Sequence, residues 1–213
     1  MIHIQKFKFN SFRENTYVVW EEKSAEAFII DPGCSDEIEQ KMLADFIAEK
    51  NLIVTKIINT HCHVDHILGN AFCKKKYQIP LLIRKEEMPV LEKAPLLYME
   101  YNFTNYEHVL PDEFLENEIF LGKTKFEILH LPGHAPGHVA LLSREEKKCF
   151  TGDVLFRAHI GRTDLEGGDK YAMKKSLTKL MELEDDIEIF PGHGFEAKIG
   201  DERKNVKNYI LQD

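Results

Sequence analysis

Apolar and polar residues alternate, imperfectly, through Ile2, Ile4, Phe7 and Phe9. A second β-rich run covers residues 17–20, and a third, 27–30, is closed by Asp31-Pro32-Gly33. This spacing with its Pro-Gly turn signal predicts an antiparallel opening meander. The period then changes. Ile38, Met42, Phe46 and Ile47 recur at helical spacing as far as Lys50-Asn51, behind a capping box of Asp36 and Glu39, so one helix face is expected to be committed to a core. Residues 53–58 return to a β-branched strand pattern. Residues 67–77 read as a helix whose Lys74-Lys75-Lys76 makes a solvated basic end. Residues 81–83 form a short strand, and 85–107 a helix broken at Pro89 and Pro95.

The second half repeats the alternation. Strands are predicted at 118–121 and 126–131, with Gly122-Lys123 as a hairpin signal between them, and at 139–142 and 149–151. Tyr171, Met173, Leu177, Leu180 and Met181 mark one face of a last helix, and a strand at 187–190 follows. No glycine-serine linker, repeat or low-complexity tract interrupts the 213 residues, so the expectation is one domain, 1–213.

Composition narrows the chemistry. A net charge of −8 disfavours a nucleic-acid partner, because binding to a phosphate backbone rests on clustered Lys and Arg. A small-molecule substrate is easier to accommodate. The four cysteines, Cys34, Cys62, Cys73 and Cys149, form no CxxC pair and no disulfide framework. The amino terminus lacks the basic start and apolar core of a signal peptide, and no run approaches a membrane span, so a cytoplasmic location is expected.

Candidate ligands sit where apolar runs end. The stretch Thr60-His61-Cys62-His63-Val64-Asp65-His66 follows the strand at 53–58, and three histidines with an aspartate in one turn are hard to explain as packing. Imidazole and carboxylate form the donor set that zinc, iron and manganese accept. His61 and His63 point to one side of an extended turn, while Asp65 and His66 curl round to a second position, which implies two adjacent metals. Cys62, alternating away from its neighbours, is read as a small filler. His134 and His193 each follow a Pro-Gly pair, and Asp153 ends the strand at 149–151. Convergence of these four strand ends on one cleft is the economical reading. His61, His63 and His134 would hold one metal and Asp65, His66 and His193 the second. Asp153 would be shared, and Asp65 and Asp153 are the carboxylates expected at the catalytic centre. About four protein ligands per metal leave room for a bridging water, whose pKa falls toward neutrality to give a hydroxide nucleophile.

Thr60 to His66, with Gly133-His134, Gly152-Asp153 and Pro191-Gly192-His193-Gly194, resembles the metallo-β-lactamase superfamily, and within it the compact bacterial glyoxalase II-like (hydroxyacylglutathione hydrolase-like) hydrolases. The resemblance runs over nearly the whole chain. It implies a mixed α/β (α+β) fold, a four-layer αββα sandwich with the metals at one edge, and the ligand set just given. His66 and Asp153 distinguish the chain from dizinc β-lactamases, which carry a cysteine where Asp153 stands, and His63 from flavodiiron proteins, which have a carboxylate there. Only about twenty residues follow His193, so no separate C-terminal glutathione-binding domain is expected. The function implied is hydrolysis of a thioester with two divalent metal ions, zinc first, iron or manganese as alternatives. A mononuclear iron persulfide dioxygenase, or a lactonase or other ester hydrolase of this fold, is the competing reading.

Other residues receive narrower expectations. Gly161 and Arg162 belong to a stretch, residues 155–165, similar to the compact relatives, and are expected to shape the loop beside the metals, with a structural ion pair as the alternative role for Arg162. His138 is expected to support the ligands, and His159 to border the cleft or to pack. Tyr98, Tyr101, Phe103 and Tyr106 are the candidate substrate-facing wall, while His3, His108 and His130 carry no motif.

Overall fold

The computed structural model describes residues 1–165 and 167–211. Its first sheet opens with β1 (Ile2–Phe9), β2 (Glu14–Glu21) and β3 (Glu26–Ile30), the antiparallel meander predicted, and continues in parallel through β4 (Ile53–Ile58), β5 (Leu81–Ile83) and β6 (Glu113–Phe114). The second contains the antiparallel run β7 (Glu118–Leu121), β8 (Thr124–His130), β9 (Val139–Ser143) and β10 (Lys148–Gly152). Beyond β10 lie β13 (Glu188–Pro191), parallel to it, and β14 (Ala197–Lys198). A small hairpin of β11 (Leu155–Phe156) and β12 (His159–Ile160) lies between β10 and β13 in the chain.

Strand residues that are adjacent in sequence face different cores, because side chains alternate across a pleated sheet. Val19, Ile30 and Ile58 join Phe126, Leu141, Phe150 and Phe190 between the two sheets. Their neighbours Val18, Ile29 and Ile57 face outward onto α1 (Glu37–Glu49), α3 (Asn70–Tyr77) and α4 (Met88–Glu100) through Leu43, Ile47, Cys73 and Leu91. On the far side, Ala140, Leu142 and Ile189 meet α5 (Lys170–Leu180) and α6 (Ile199–Ile210) through Met173, Leu177 and Val206. Helices thus cover both outer faces of two packed sheets, the expected αββα order.

The helical expectations are corrected in part. In α1 the expected Phe46 and Ile47 do pack on the core, but Leu43 completes the buried stripe in place of Ile38 and Met42, which are 73% and 51% exposed. The capping box is half made. Asp36 accepts Glu39 N–H, but the Glu39 carboxylate turns to the N–H groups of Asn10 and Ser35 instead of the cap. The helix expected at 67–77 begins at Asn70 as α3, with a separate turn, α2 (Val64–Ile67), ahead of it, and α4 runs through both prolines, Pro89 in its first turn and Pro95 inside. Lys74, read as solvated, is tied to Asp112 at 2.7 Å and to the Leu110 carbonyl at 2.9 Å.

The sheets are also joined at the edge where β2 begins. Asn15 N–H donates to the Gly192 carbonyl at 2.7 Å, Asn15 Nδ2 to the Pro191 carbonyl at 2.9 Å, and the buried Tyr17 hydroxyl to that same carbonyl at 2.7 Å. Among the described residues, no helix is long and apolar enough to cross a membrane.

Candidate metal centre

The carboxyl ends of β4, β8, β10 and β13 deliver all seven candidate ligands to this edge. His61 and His63 lie in the loop after β4, and Asp65 and His66 in the single-turn α2, where His63 takes the N-cap position in extended conformation. The sharp turn before His134 is made by Gly133 at φ +143°, and Asp153 follows Gly152 at φ +48°. These are backbone conformations that residues with a Cβ adopt only with strain.

Two donor groups result. His63 Nδ1 lies 2.9 Å from His134 Nε2, with the His61 ring 4.7 Å from that of His63 and 5.0 Å from that of His134. One nitrogen from each of the three falls within 4.8 Å of the others, and Asp65, His66 and His193 offer a second such set. In that set Asp65 Oδ2 is 3.1 Å from His193 Nε2 and 3.6 Å from His66 Nε2. Asp153 touches both groups. Its Oδ1 lies 3.5 Å from His66 Nε2, and its Oδ2 lies 3.6 Å from His134 Nε2 and 3.5 Å from His193 Nε2.

Hydrogen bonds behind the rings decide which nitrogen faces the cleft. His134 Nδ1 is 2.8 Å from the Arg162 carbonyl, which can only accept, so Nδ1 carries the proton. Thr60 Oγ1 donates to Asp31 Oδ2 at 2.6 Å and therefore accepts from His61 Nδ1 at 3.1 Å. His66 Nδ1 bonds the same Asp31 oxygen at 3.1 Å. With Nδ1 so engaged, Nε2 of His61, His66 and His134 points inward and carries a lone pair whenever the ring is neutral. Among the described residues, His61 Nε2, His66 Nε2 and Asp153 Oδ1 are buried without a hydrogen-bond partner, the last two facing each other at 3.5 Å. Orphaned acceptors of this kind are costly unless something electrophilic meets them, so the donor set fits a pair of divalent cations.

The electrostatics agree. Burial disfavours charge on Asp153, but His66, His193 and His134 hold its carboxyl well below the usual range, and against the same burial His66 and His193 lower that of Asp65. Burial also opposes protonation of His66, yet Asp65, Asp153 and Asp31 raise its pKa well above that of free imidazole. Burial and the neighbouring His134 push His63 down to about 3. The carboxylates thus favour a proton on His66 and His193, while burial keeps His61 and His63 in the neutral form that offers a lone pair.

Supporting residues were less visible in the sequence. Asp31 was read only as part of a turn; it sits at φ +48° and binds Thr60 and His66 together. Its conformation and long-range partners leave no sequence signal. Glu87, in the charged run Lys85-Glu86-Glu87, is fully buried and accepts the N–H groups of Cys62 at 2.8 Å and Gly137 at 2.6 Å, spanning the loops that carry His61, His63 and His134. Burial pushes its pKa up to about 7. His138 is buried, stacks on His61 and accepts Asp153 N–H at 2.9 Å, the supporting position expected of it. Cys62 is buried in the core beneath α4, as a filler would be.

Two cavities open onto the cluster. One, about 510 Å³, is lined by Phe156, Arg157, His159 and Phe195; the other, about 560 Å³, by Phe12, Val90, Leu97, Tyr101, Phe103 and Leu165. His134, Asp153, Arg162 and His193 belong to both. His159 thus borders the cleft. The Arg162 side chain pairs with Asp164 through two 2.7 Å bonds, while its backbone orients His134. Of the aromatic set, Tyr101 and Phe103 face the second cavity, whereas Tyr98 and Tyr106 pack on each other and on the core. His3 lies against Trp20, His108 beside the Tyr106 hydroxyl and His130 against the Pro136 carbonyl, away from the donor groups.

Comparison with known proteins fits this geometry. Hydroxyacylglutathione hydrolase GloC of Haemophilus influenzae is 35% identical over 209 residues, spanning 96% of each chain. Among solved structures, BLEG-1 B3 metallo-beta-lactamase superposes with a TM-score of 0.86 at 29% identity, covering 95% of this chain and 97% of that one. TTHA1623 in a di-iron-bound form gives 0.84 at 34% identity, covering 94% and 98%. With residues 11–193 matching the profile of the metallo-beta-lactamase superfamily, the chain belongs to that superfamily.

Proposed function

We propose that this protein hydrolyses a thioester of the hydroxyacylglutathione type with a pair of divalent metal ions, zinc first and iron or manganese as alternatives. The observation that carries the reading is the set of buried, partnerless acceptors, His61 Nε2, His66 Nε2 and Asp153 Oδ1, facing one cleft. The 35% identity to a hydroxyacylglutathione hydrolase across the chain supports the substrate class.

His61, His63 and His134 would hold one ion, Asp65, His66 and His193 the other, with Asp153 between them. When bound, the ions supply Lewis acidity and bring the pKa of a coordinated water toward neutrality. The chain does the rest by position. Asp31, Thr60 and the Arg162 carbonyl keep three imidazoles in the tautomer whose Nε2 is free to donate electrons. His138 fixes the backbone of Asp153 and with it the carboxylate that faces both donor groups. The two cavities give each arm of a thioester its own space on either side of the cluster. Hydrolysis consumes one water, whose oxygen goes to the acyl carbon. The C–S bond breaks with its electron pair on sulfur, and a proton completes the thiol.

The test is elemental analysis of the purified protein for zinc, iron and manganese, paired with an assay on a hydroxyacyl glutathione thioester. About two metals per chain with thioester turnover is the expected result. One iron per chain with oxygen consumption on a persulfide would overturn it.

A further inference from the structure

The larger cavity carries an inference about the acyl group, one that rests on the thioester reading. Its wall is assembled from separate segments: Phe12 from the turn after β1, Val90 and Leu97 from α4, Phe103 beyond that helix, and Leu165 from the loop before α5. The Phe12 ring lies 5.4 Å from that of Tyr101 and 5.7 Å from that of Phe103. Phe12 is nevertheless 44% and Tyr101 41% exposed, leaving aromatic surface uncovered beside the metal-ligand cluster. Among the described residues, charge on this lining is confined to Lys93, to Arg162, which is engaged with Asp164, and to the cluster itself. The other cavity presents Arg157 and His159. A thioester has one apolar arm to place when its acyl group is a hydrocarbon, and the larger cavity offers that arm Phe12, Val90, Leu97, Tyr101, Phe103 and Leu165, while the other sets Arg157 and His159 beside Phe156 and Phe195.

Size points the same way. A three-carbon hydroxyacyl group has about five heavy atoms, which at roughly 30 Å³ each fill about 150 Å³. The cavity is about 560 Å³. An apolar wall gains affinity with every methylene it covers, roughly fourfold for each one fully buried. It has little with which to reward the hydroxyl of a small hydroxy acid, because selection for a hydroxyl needs a committed polar partner. We propose that the cavity formed by Phe12, Val90, Leu97, Tyr101, Phe103 and Leu165 is an acyl-chain site, and that the preferred substrates are thioesters of apolar acids with about six to ten carbons, straight-chain or aromatic.

Two series measured on the metal-loaded protein test this. Glutathione thioesters of acetic, lactic, butyric, hexanoic and octanoic acids are compared by kcat/KM, and the free acids are compared by calorimetric Kd, a readout independent of turnover and of the thiol carrier. The expected result is a rise in kcat/KM of at least about tenfold from acetyl to octanoyl, with lactoyl at the low end, and a parallel tightening of Kd. Val90→Trp, which fills the cavity, and Leu97→Gln, which makes its wall polar, should each lower the octanoyl-to-acetyl ratio about fivefold or more. Circular dichroism of both identifies a variant that has failed to fold, and the other then decides. Flat or falling trends in both series, with thioesters still hydrolysed, would overturn the acyl-chain site and leave the thioester reading standing. Acids that bind more tightly with length, while no thioester is hydrolysed, would uphold the site and refute that reading.

Discussion

Asp31 Oδ2 lies 3.1 Å from His66 Nδ1 and 2.6 Å from Thr60 Oγ1, so a single carboxylate oxygen steadies His66 directly and His61 through the threonine hydroxyl. Asn at this position keeps one acceptor and turns an NH₂ group toward a donor. Asp31→Asn is therefore expected to weaken metal binding about 10- to 100-fold, measured by competition with a chromogenic chelator. Unchanged affinity would show that this hydrogen bonding is not transmitted to the cleft.

Asp153 and His193 are expected to matter for turnover and little for folding. Asp153→Asn loses a charge that faces both donor groups, and His193→Ala removes a partly exposed donor from one of them. Each should lower kcat by a hundredfold or more, in the range seen when transition-state stabilisation is lost, with the far-ultraviolet circular dichroism retained. Elemental analysis of His193→Ala should approach one ion per chain. Full activity in either variant would refute the two-metal scheme.

Glu87 gives a pH prediction whose sign is set by its raised pKa. Its carboxyl titrates near 7 in the fold against an ordinary 4.5, because burial disfavours the charged form. The folded chain therefore holds this proton more tightly than the unfolded chain does between those values. Stability from this group is full below the unfolded pKa and falls as pH rises toward 7, by at most about 1.4 kcal/mol per unit, or about 3 kcal/mol across the window. Glu87→Gln removes that slope. Chemical denaturation at pH 5, 6 and 7 should show the wild type losing ground steadily relative to the variant, and a constant difference would exclude the shift. Independently of pH, the variant's amide must set an N–H against the Cys62 or Gly137 N–H, at a cost of about 1–3 kcal/mol.

A methyl group at Gly192 would overlap Asp153 Oδ1 and come within 2.6 Å of His66 Cε1. Gly192→Ala is expected to fold, since the clash falls on side chains, and to push two ligands apart. The measurable outcome is lower metal occupancy with activity reduced at least about tenfold, given how sharply positioning controls rate. Wild-type occupancy would mean that the ligands relax together.

Some of this was legible in the sequence for a plain physical reason. His61, His63, Asp65 and His66 are chemically distinctive and lie within one turn, and His134, Asp153 and His193 each end an apolar strand, so the chemistry and the strand pattern mark the same positions. The meander of β1 to β3 was readable from period-two alternation. What escaped was set by tertiary contacts. Ile38 and Met42 match a helical stripe as well as Leu43 and Ile47 do, and only the position of the sheet decides which is buried. Pro95 continues a helix that local rules would end, because packing overrides propensity. Glu87 resembles its exposed neighbour Glu86 until the loops carrying Cys62 and Gly137 close over it.

The Tyr17 hydroxyl and the Asn15 amide reach from the first sheet to the carbonyls of Pro191 and Gly192, just ahead of His193. Donors brought by β4 and by β13 can meet only when the two sheets have closed on each other. Bound ions then act as a clasp, adding stability solely to the closed state in proportion to their occupancy. Metal retention becomes a gauge of sheet closure, and Tyr17→Phe should let the ions go at a lower temperature while leaving every ligand in place.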